Sequence, residues 1–343
     1  MQKDLFSINL LTWNGAKFIE GCLRSVFAQT YSRIELLIID SGSEDNTVAL
    51  AQESIKNTNP RFPVRFIRLE KNLGFAAGHN LGIRESQGEF VLLLNQDVVL
   101  SSDFLKNAQK FFQESKNGKV ASLQAKTRRI GRDLLPIDII DSTGFQIFKN
   151  RRIINRGQGE VDKGQYEKEE EIFGADGAVP VFRRQALEDA KIEISGRVEY
   201  LDENFFSYKE DIDLAWRLRL LGWKSFYLPR MQAWHARGSG ESAAKNYFSI
   251  IQERLKLSQF SKYLSFRNQR LMQIKNEIAW SLLKSFRFIF KEIASWIYVL
   301  LFERFTRKAF GDLKRMAPLA WEKRKQIMAK KRVSSAEIER WLI

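Results

Sequence analysis

Glu210, Asp211 and Asp213 put three carboxylates within four residues, directly ahead of an apolar stripe, Leu214, Leu218 and Leu221, at helical spacing. They occupy the first turn of that helix, where the macrodipole favours negative charge and capping would select some of them. Three is more than a cap requires, so one ionised carboxylate is available to take a proton from a hydroxyl nucleophile. A further acid, Asp97, follows the apolar run Leu92–Leu94 in Asn95-Gln96-Asp97. Strand alternation would point Asn95 and Asp97 the same way, onto a hard divalent cation that also takes phosphate and water; a simple turn would use the same residues. His235, one of two histidines, follows the strand-like Lys224–Leu228 and Pro229. It either completes a site begun by Asp97 or makes a structural hydrogen bond. His79 reads as a loop or helix-surface residue rather than a ligand.

These residues need a scaffold that brings strand ends together. Phe6–Trp13, Ile34–Ile39, Val64–Leu69 and Glu89–Leu94 read as strands, and Phe18, Cys22, Val26 and Phe27, then Val48, Ala51 and Ile55, share helical spacing between them. Alternating strands and helices predict βαβ units, an α/β fold with a largely parallel sheet, and ligands beyond the strands' carboxyl ends at Asn14, Asp40 and Asp97. Asp40-Ser41-Gly42-Ser43 would present a carboxylate to a base N–H or ribose hydroxyl, or simply make a capped turn. Gly74, Gly78 and Gly82 would line one helix face, for close approach of a diphosphate or for tight packing on the sheet. Residues 126–171 loosen into polar stretches and read as a variable acceptor-side excursion. Beyond Gly240 the pattern is helical throughout.

The chain's 343 residues, 44% apolar, are enough for a full α/β domain and a smaller unit. A lone Cys22 and an N-terminus that runs straight into a strand pattern predict a reducing, cytoplasmic setting. The net charge of +15 is uneven: residues 246–343 hold 21 Lys and Arg against 8 Asp and Glu. No helix-turn-helix, finger or RNP-like pattern accompanies this charge, so nucleic acid is not the expected partner.

Asp40-Ser41-Gly42-Ser43-Glu44-Asp45, Asn72-Leu73-Gly74-Phe75-Ala76-Ala77-Gly78, Asn95-Gln96-Asp97, Gly177-Ala178 with Arg183-Arg184, the run Leu201–Asp213 and His235 come in a fixed order. Order and spacing resemble the family 2 inverting glycosyltransferases over roughly residues 5–245, nearest to the rhamnosyltransferase-like branch of bacterial surface-polysaccharide assembly. The resemblance implies a GT-A fold over residues 1–245, followed by a basic helical extension over 246–343. It implies inverting sugar transfer from a dTDP- or UDP-sugar, dTDP-rhamnose first, to a glycan or lipid-linked acceptor hydroxyl. Thr12, Asn14, Asp40, Gly74, Asn80, Asn95 and Asp97 would hold the nucleotide sugar. Asp97 and His235, with Asn95 as a third candidate, would bind Mg²⁺ or Mn²⁺. Asp211 would be the general base, and Gly177, Ala178, Glu210 and Arg217 would lie on the acceptor or donor-sugar side.

Two features depart from the fuller family pattern: Asn95 replaces the first carboxylate of Asp-x-Asp, and the Gln-x-x-Arg-Trp motif of processive synthases is absent. Addition of one or a few sugars per engagement follows. A sugar-nucleotide pyrophosphorylase would need a Gly-rich Gly-x-Gly-x-Arg-x-x-Pro segment where Thr12–Lys17 stands. A non-catalytic nucleotide-sugar or glycan binder would keep Asp40 and could lose Asp211.

The last expectation concerns residues 280–302, whose apolar side chains (Leu282, Leu283, Phe286, Ile289, Phe290, Ile293, Trp296, Ile297, Leu300, Leu301) share one helical face. Four charges and a short apolar run rule out a span, so the helix would lie in the membrane interface on the cytoplasmic side. Arg304, Arg307, Lys308, Lys314, Arg315 and Lys323–Lys325 would add attraction to anionic lipid. Packing on the catalytic domain, or on a second subunit in a homodimer, would bury the same stripe.

Overall fold

Runs of Val, Ile, Leu and Phe flanked by amphipathic helices build the parallel centre of a sheet that is covered on both faces. The computed structural model describes residues 1–131, 133–236, 247–278 and 286–343. Strands β1 (Gln2–Thr12), β2 (Ile34–Asp40), β3 (Val64–Arg68) and β4 (Gly88–Asn95) alternate with helices α1 (Ile19–Phe27), α2 (Thr47–Thr58) and α3 (Gly74–Glu85). They lie parallel in the order β4-β1-β2-β3, and the register places Thr12 beside Asp40.

The chain then continues through β5 (Val98–Leu100), α4 (Phe104–Gln113), β6 (Val120–Ile130), β7 (Pro136–Ser142), β8 (Phe145–Ile147), β9 (Ile153–Asn155), β10 (Glu170–Ile172), β11 (Val181–Arg183), α5 (Arg184–Ala190), β12 (Ile192–Ile194), β13 (Arg197–Glu199), α6 (Glu210–Leu220) and β14 (Lys224–His235). The short β11 is antiparallel to both β4 and β6 and joins the two parallel blocks. β14 lies parallel to β6, with β10 at the far edge; β5 pairs with β14 and β7 with β6, both antiparallel. The polar stretch expected as a loose excursion therefore supplies four strands. Its polarity reflects edge positions, where one strand flank meets water.

Helices α7 (Tyr247–Lys256), α8 (Gln259–Asn276), α9 (Phe286–Phe302), α10 (Lys308–Ala329) and α11 (Ser335–Glu339) follow. The expected division at 245/246 lies outside the described residues, as do Leu282 and Leu283. Beyond it the helices are no separate appendage. Phe266, Leu271, Met272, Val299, Leu313 and Ile327 share one core with Phe145, Ile147, Phe173, Trp216 and Leu220. The C-terminal Ile343 hydrogen-bonds by N–H and carbonyl to Ile147 and Lys149 beside β8.

Much of the tail's positive charge points inward. Lys275 on α8 lies 2.5 Å from Asp202 and 2.8 Å from Asp213, while Lys323 on α10 lies 2.6 Å from both Glu199 and Asp202. Lys323, expected as a lipid-facing cation, is fully buried, and Arg324 beside it caps the carbonyls of Ile274 and Glu277. Burial opposes ionisation of Asp202, but the two ammonium groups hold it well below the usual carboxylate range. Removing one partner of such a cluster strands a buried charge. Lys275→Met is expected to cost about 3–5 kcal/mol in urea unfolding; a loss below about 1 kcal/mol would show that the cluster does not lock the helices down.

Candidate functional site

The site lies where β1, β2, β4 and β14 end. Asp40 is fully buried at the end of β2; one carboxylate oxygen accepts the Ser43 N–H at 3.1 Å and the other has no partner among the described residues. An orphaned buried acceptor is costly unless a donor group arrives, and a base N–H or ribose hydroxyl would supply one. Asn14, in the left-handed region at φ 47°, joins the β1 and β2 loops: its N–H donates to Ser43 Oγ and its Oδ1 accepts from Glu44.

A second group forms where β5 pairs with β14 and places His235 opposite Val98, next to Asp97. His235 Nε2 lies 3.3 Å from Asp97 Oδ2, and Nδ1 lies 2.9 Å from Asp141 Oδ2 on β7. Burial alone would lower the imidazole, but Asp97 and Asp141 hold it at about 10. Burial likewise works against the Asp97 carboxylate, and His235 keeps it below its ordinary value.

The third group surrounds the start of α6. Asp211 Oδ2 accepts the Gly177 N–H at 3.0 Å, and Oδ1 accepts the Ile212 N–H at 2.7 Å. Burial raises Asp211 to about 6; nearby Asp176 adds to the rise, against the two N–H donors and the Lys209 ammonium. Burial pulls Lys209 itself down to about 8. Glu210 is pushed well above the usual carboxylate range by burial and by Asp211. Asp213 is buried in the lysine cluster, 3.1 Å from Arg217. Three neighbouring carboxylates thus have three chemistries, and only Asp211 combines access with an ionisation suited to a base near neutrality. The Gly177-Ala178 segment connects the groups: the Ala178 carbonyl accepts the Asn95 N–H from β4, while Gly177 holds Asp211.

The model of glycosyl transferase family 2 matches residues 7–190, more than half of the chain. The chain belongs to glycosyl transferase family 2. A poly-beta-1,6-N-acetyl-D-glucosamine synthase of Staphylococcus epidermidis is 27% identical over 237 residues, 68% of this chain and 50% of that protein. The chain spans about half the length of such curated relatives. S. aureus TarS 1–349, solved in complex with UDP-GlcNAc, aligns with a TM-score of 0.54 at 17% identity, covering 95% of this chain and 89% of that one. GalNAc-T7, solved with UDP, GalNAc and Mn²⁺, aligns with a TM-score of 0.60 at 13% identity, covering 94% and 58%. These likenesses show the GT-A fold with a C-terminal helical part.

Within this family 2 chain, several residues expected at the ligand are committed elsewhere. Thr12 is buried and donates its hydroxyl to Gln96 Oε1 at 2.5 Å. Asn80 is buried, with its amide nitrogen donating to the Leu201 carbonyl and Glu203 and its oxygen accepting from Tyr200 and Leu201 N–H groups. Arg217 is buried and donates to Asp213 and to the Ala190 and Tyr200 carbonyls. Gly74, at φ +84°, makes room for Phe206, because a Cβ would meet that ring and carbonyl at 2.5 Å. Gly78 and Gly82 pack against Leu11, Asn9 and Ile39 of the sheet, which favours the packing reading. His79 is buried in α3 against Phe75, not on a surface, and burial lowers it to about 3. Strand alternation also stops short: β4 ends at Asn95, and Asp97 lies in the turn before β5.

Two residues escaped the sequence reading. Gln96 stitches the β1 loop to the β4 turn, accepting from Thr12 and Trp13 and donating to the Trp13 carbonyl. Asp141 lay in the stretch taken as variable; a carboxylate next to Ser142 and Thr143 carries no local signal. Asp211→Asn is expected to lower turnover about 10²- to 10⁴-fold. Because the base must be ionised, wild-type turnover should fall as pH drops through about 6. A flat profile between pH 5 and 7, with normal turnover in the variant, would remove Asp211 from the chemistry.

Proposed function

We propose that the chain is an inverting glycosyltransferase that moves a sugar from a UDP- or dTDP-sugar to a hydroxyl of a glycan or lipid-linked acceptor in bacterial surface-polysaccharide assembly. The observation that carries this reading is Asp211, a carboxylate raised to about 6 and aimed by the Gly177 N–H beside the end of β4. It takes the proton of the acceptor hydroxyl as that oxygen attacks the anomeric carbon; the carbon–oxygen bond to the diphosphate breaks, and the nucleoside diphosphate leaves from the opposite face. The orphaned Asp40 oxygen suits the nucleoside. UDP-GlcNAc is the first donor to test, given the relatives and TarS, and dTDP-rhamnose is the second, given the sequence resemblance.

Asp97 and His235 would hold Mg²⁺ or Mn²⁺ with the cation taking the place of the proton the carboxylates keep on the imidazole: the Asp141 tie on Nδ1 leaves Nε2 facing Asp97. Among the described residues no set of three His, Cys, Asp or Glu side chains could hold a metal, so the diphosphate and water would fill the remaining positions. When bound, the cation would neutralise the departing diphosphate. A non-catalytic binder would have no use for a carboxylate tuned like Asp211. Nucleotide release from UDP-GlcNAc and dTDP-rhamnose, with Mg²⁺, Mn²⁺ or EDTA, tests the proposal. Full activity in EDTA would overturn the metal; donor binding without turnover under every condition would favour the binder.

The acceptor reading rests on α9, which lies inside-out. Phe286, Ile289, Phe290, Ile293, Trp296, Ile297, Leu300 and Leu301 are all exposed, whereas Glu292 and Ser295 turn inward to Arg270 of α8 at 2.9 Å. An apolar face of this size seeks a partner. Among the described residues no helix is long and apolar enough to cross a membrane. Arg304, Arg307, Lys308, Lys314 and Arg315 are exposed and would each add about 1 kcal/mol of attraction near anionic lipid. The chain should float with anionic vesicles at low salt, and Phe286→Glu with Ile293→Glu should abolish this. Unchanged flotation in the double variant, or a salt-stable dimer that leaves vesicles unbound, would assign the face elsewhere.

A further inference from the structure

The loop between the single 3₁₀ turn Glu203–Phe205 and α6 adopts a conformation that its own sequence disfavours. Phe206, Tyr208 and Lys209 have φ values of 63°, 71° and 76°, in the left-handed region, and none is glycine. Each such residue is strained and persists only where its surroundings impose it. The loop ends at Lys209, whose carbonyl accepts the Asp213 N–H at 2.9 Å, so its path sets where α6 begins and where Asp211 stands.

The support comes from α8. Asn268 is fully buried, and its amide nitrogen donates to the carbonyls of Phe205 and Ser207 at 2.9 Å and of Tyr208 at 2.8 Å. Its amide oxygen accepts from Arg267 Nε at 3.0 Å, which fixes the side chain with the nitrogen toward the loop. Arg267 also donates to the Asn204 carbonyl at 2.9 Å, and the Tyr208 hydroxyl meets Ser261 at 3.0 Å. From the other side, the Phe206 carbonyl accepts the Ala76 N–H of α3 at 3.2 Å, with the Phe206 ring against Gly74. One amide therefore gathers three carbonyls that the left-handed turns leave pointing inward, immediately before the carboxylate that faces Gly177.

We propose that Asn268 is a positioning residue for sugar transfer: it holds the 205–209 loop in its strained form and so keeps Asp211 against Gly177. The inference rests on Asp211 as the base. It does not rest on α8 needing Asn268 to dock, because Lys275 and Asn276, two turns further on, anchor the helix to Asp202 and Asp213 independently. A displacement of about 1 Å at a catalytic group costs about 10²-fold in rate.

Asn268→Asp keeps the size of the side chain and replaces the donor with an acceptor; Asn268→Ala removes the donor without adding charge and serves if the first variant does not fold. Two measurements are made on the full chain: amide hydrogen exchange, and UDP release from UDP-GlcNAc with Mn²⁺. Exchange over residues 205–211 should quicken at least about tenfold while β1 and β4 stay protected, and kcat should fall about 10- to 100-fold with KM for UDP-GlcNAc within about twofold of wild type. Unchanged exchange in the loop overturns the clamp. Faster exchange throughout the chain, with kcat and KM worsening together, overturns positioning in favour of a purely structural role. If the wild type releases no UDP, the donor assignment fails and loop exchange alone decides the clamp.

Discussion

Burying Glu199, Asp202 and Asp213 together beneath the site would be prohibitive without cations, and among the described residues before α7 only Arg217 pairs with Asp213. Lys275 and Lys323 come from helices 60 to 125 residues further along and place ammonium groups among these three carboxylates. The sheet and the C-terminal helices are consequently one folding problem. Arg151, buried against Glu277 at 2.8 Å, makes the same kind of tie just past Lys275, at the C-terminal end of α8. The +13 balance of the tail is in part the counter-charge of the acids it covers.

That dependence explains how a strained loop can stand beside the proposed base. Left-handed Phe206, Tyr208 and Lys209 would relax on an isolated domain, because local sequence offers no glycine there. Held between α3 and a docked α8, the loop has one available path. Strain is tolerated where the surrounding packing is firmest, and the carboxylate it presents is pushed up by the same burial.

The described helices of the C-terminal part also carry an unusual surface. In α9 Glu292 and Ser295 reach Arg270 of α8, Val299 and the Trp296 ring pack on the core, and the other large apolar side chains face out. α8 therefore has two working faces, one against the 205–209 loop and one under α9. The surface proposed to meet lipid and the loop proposed to position the base are held by the same helix.

The sequence by itself determined the four strands β1 to β4 and their parallel setting, within a residue at every end but the start of β1, because their apolar residues are dense enough for composition to decide burial; their order came from the structure. It also determined that carboxylates stand at strand and helix ends, since those positions follow from local periodicity. Tertiary structure decided which of them could do chemistry. Glu210, Asp211 and Asp213 are equivalent on paper; burial pushes the first well above the usual range, the Gly177 N–H orients the second, and Lys275 makes the third an ion-pair partner. His235 needed β5, β7 and β14 to meet Asp97 and Asp141, and the hydrogen bonds of Asn80, Thr12 and Arg217 go to groups distant in sequence, for Thr12 the side chain of Gln96. Periodicity likewise revealed the apolar stripe of α9 but not the direction it faces. Ionisation and exposure depend on neighbours that come from far along the chain, and no local pattern encodes them.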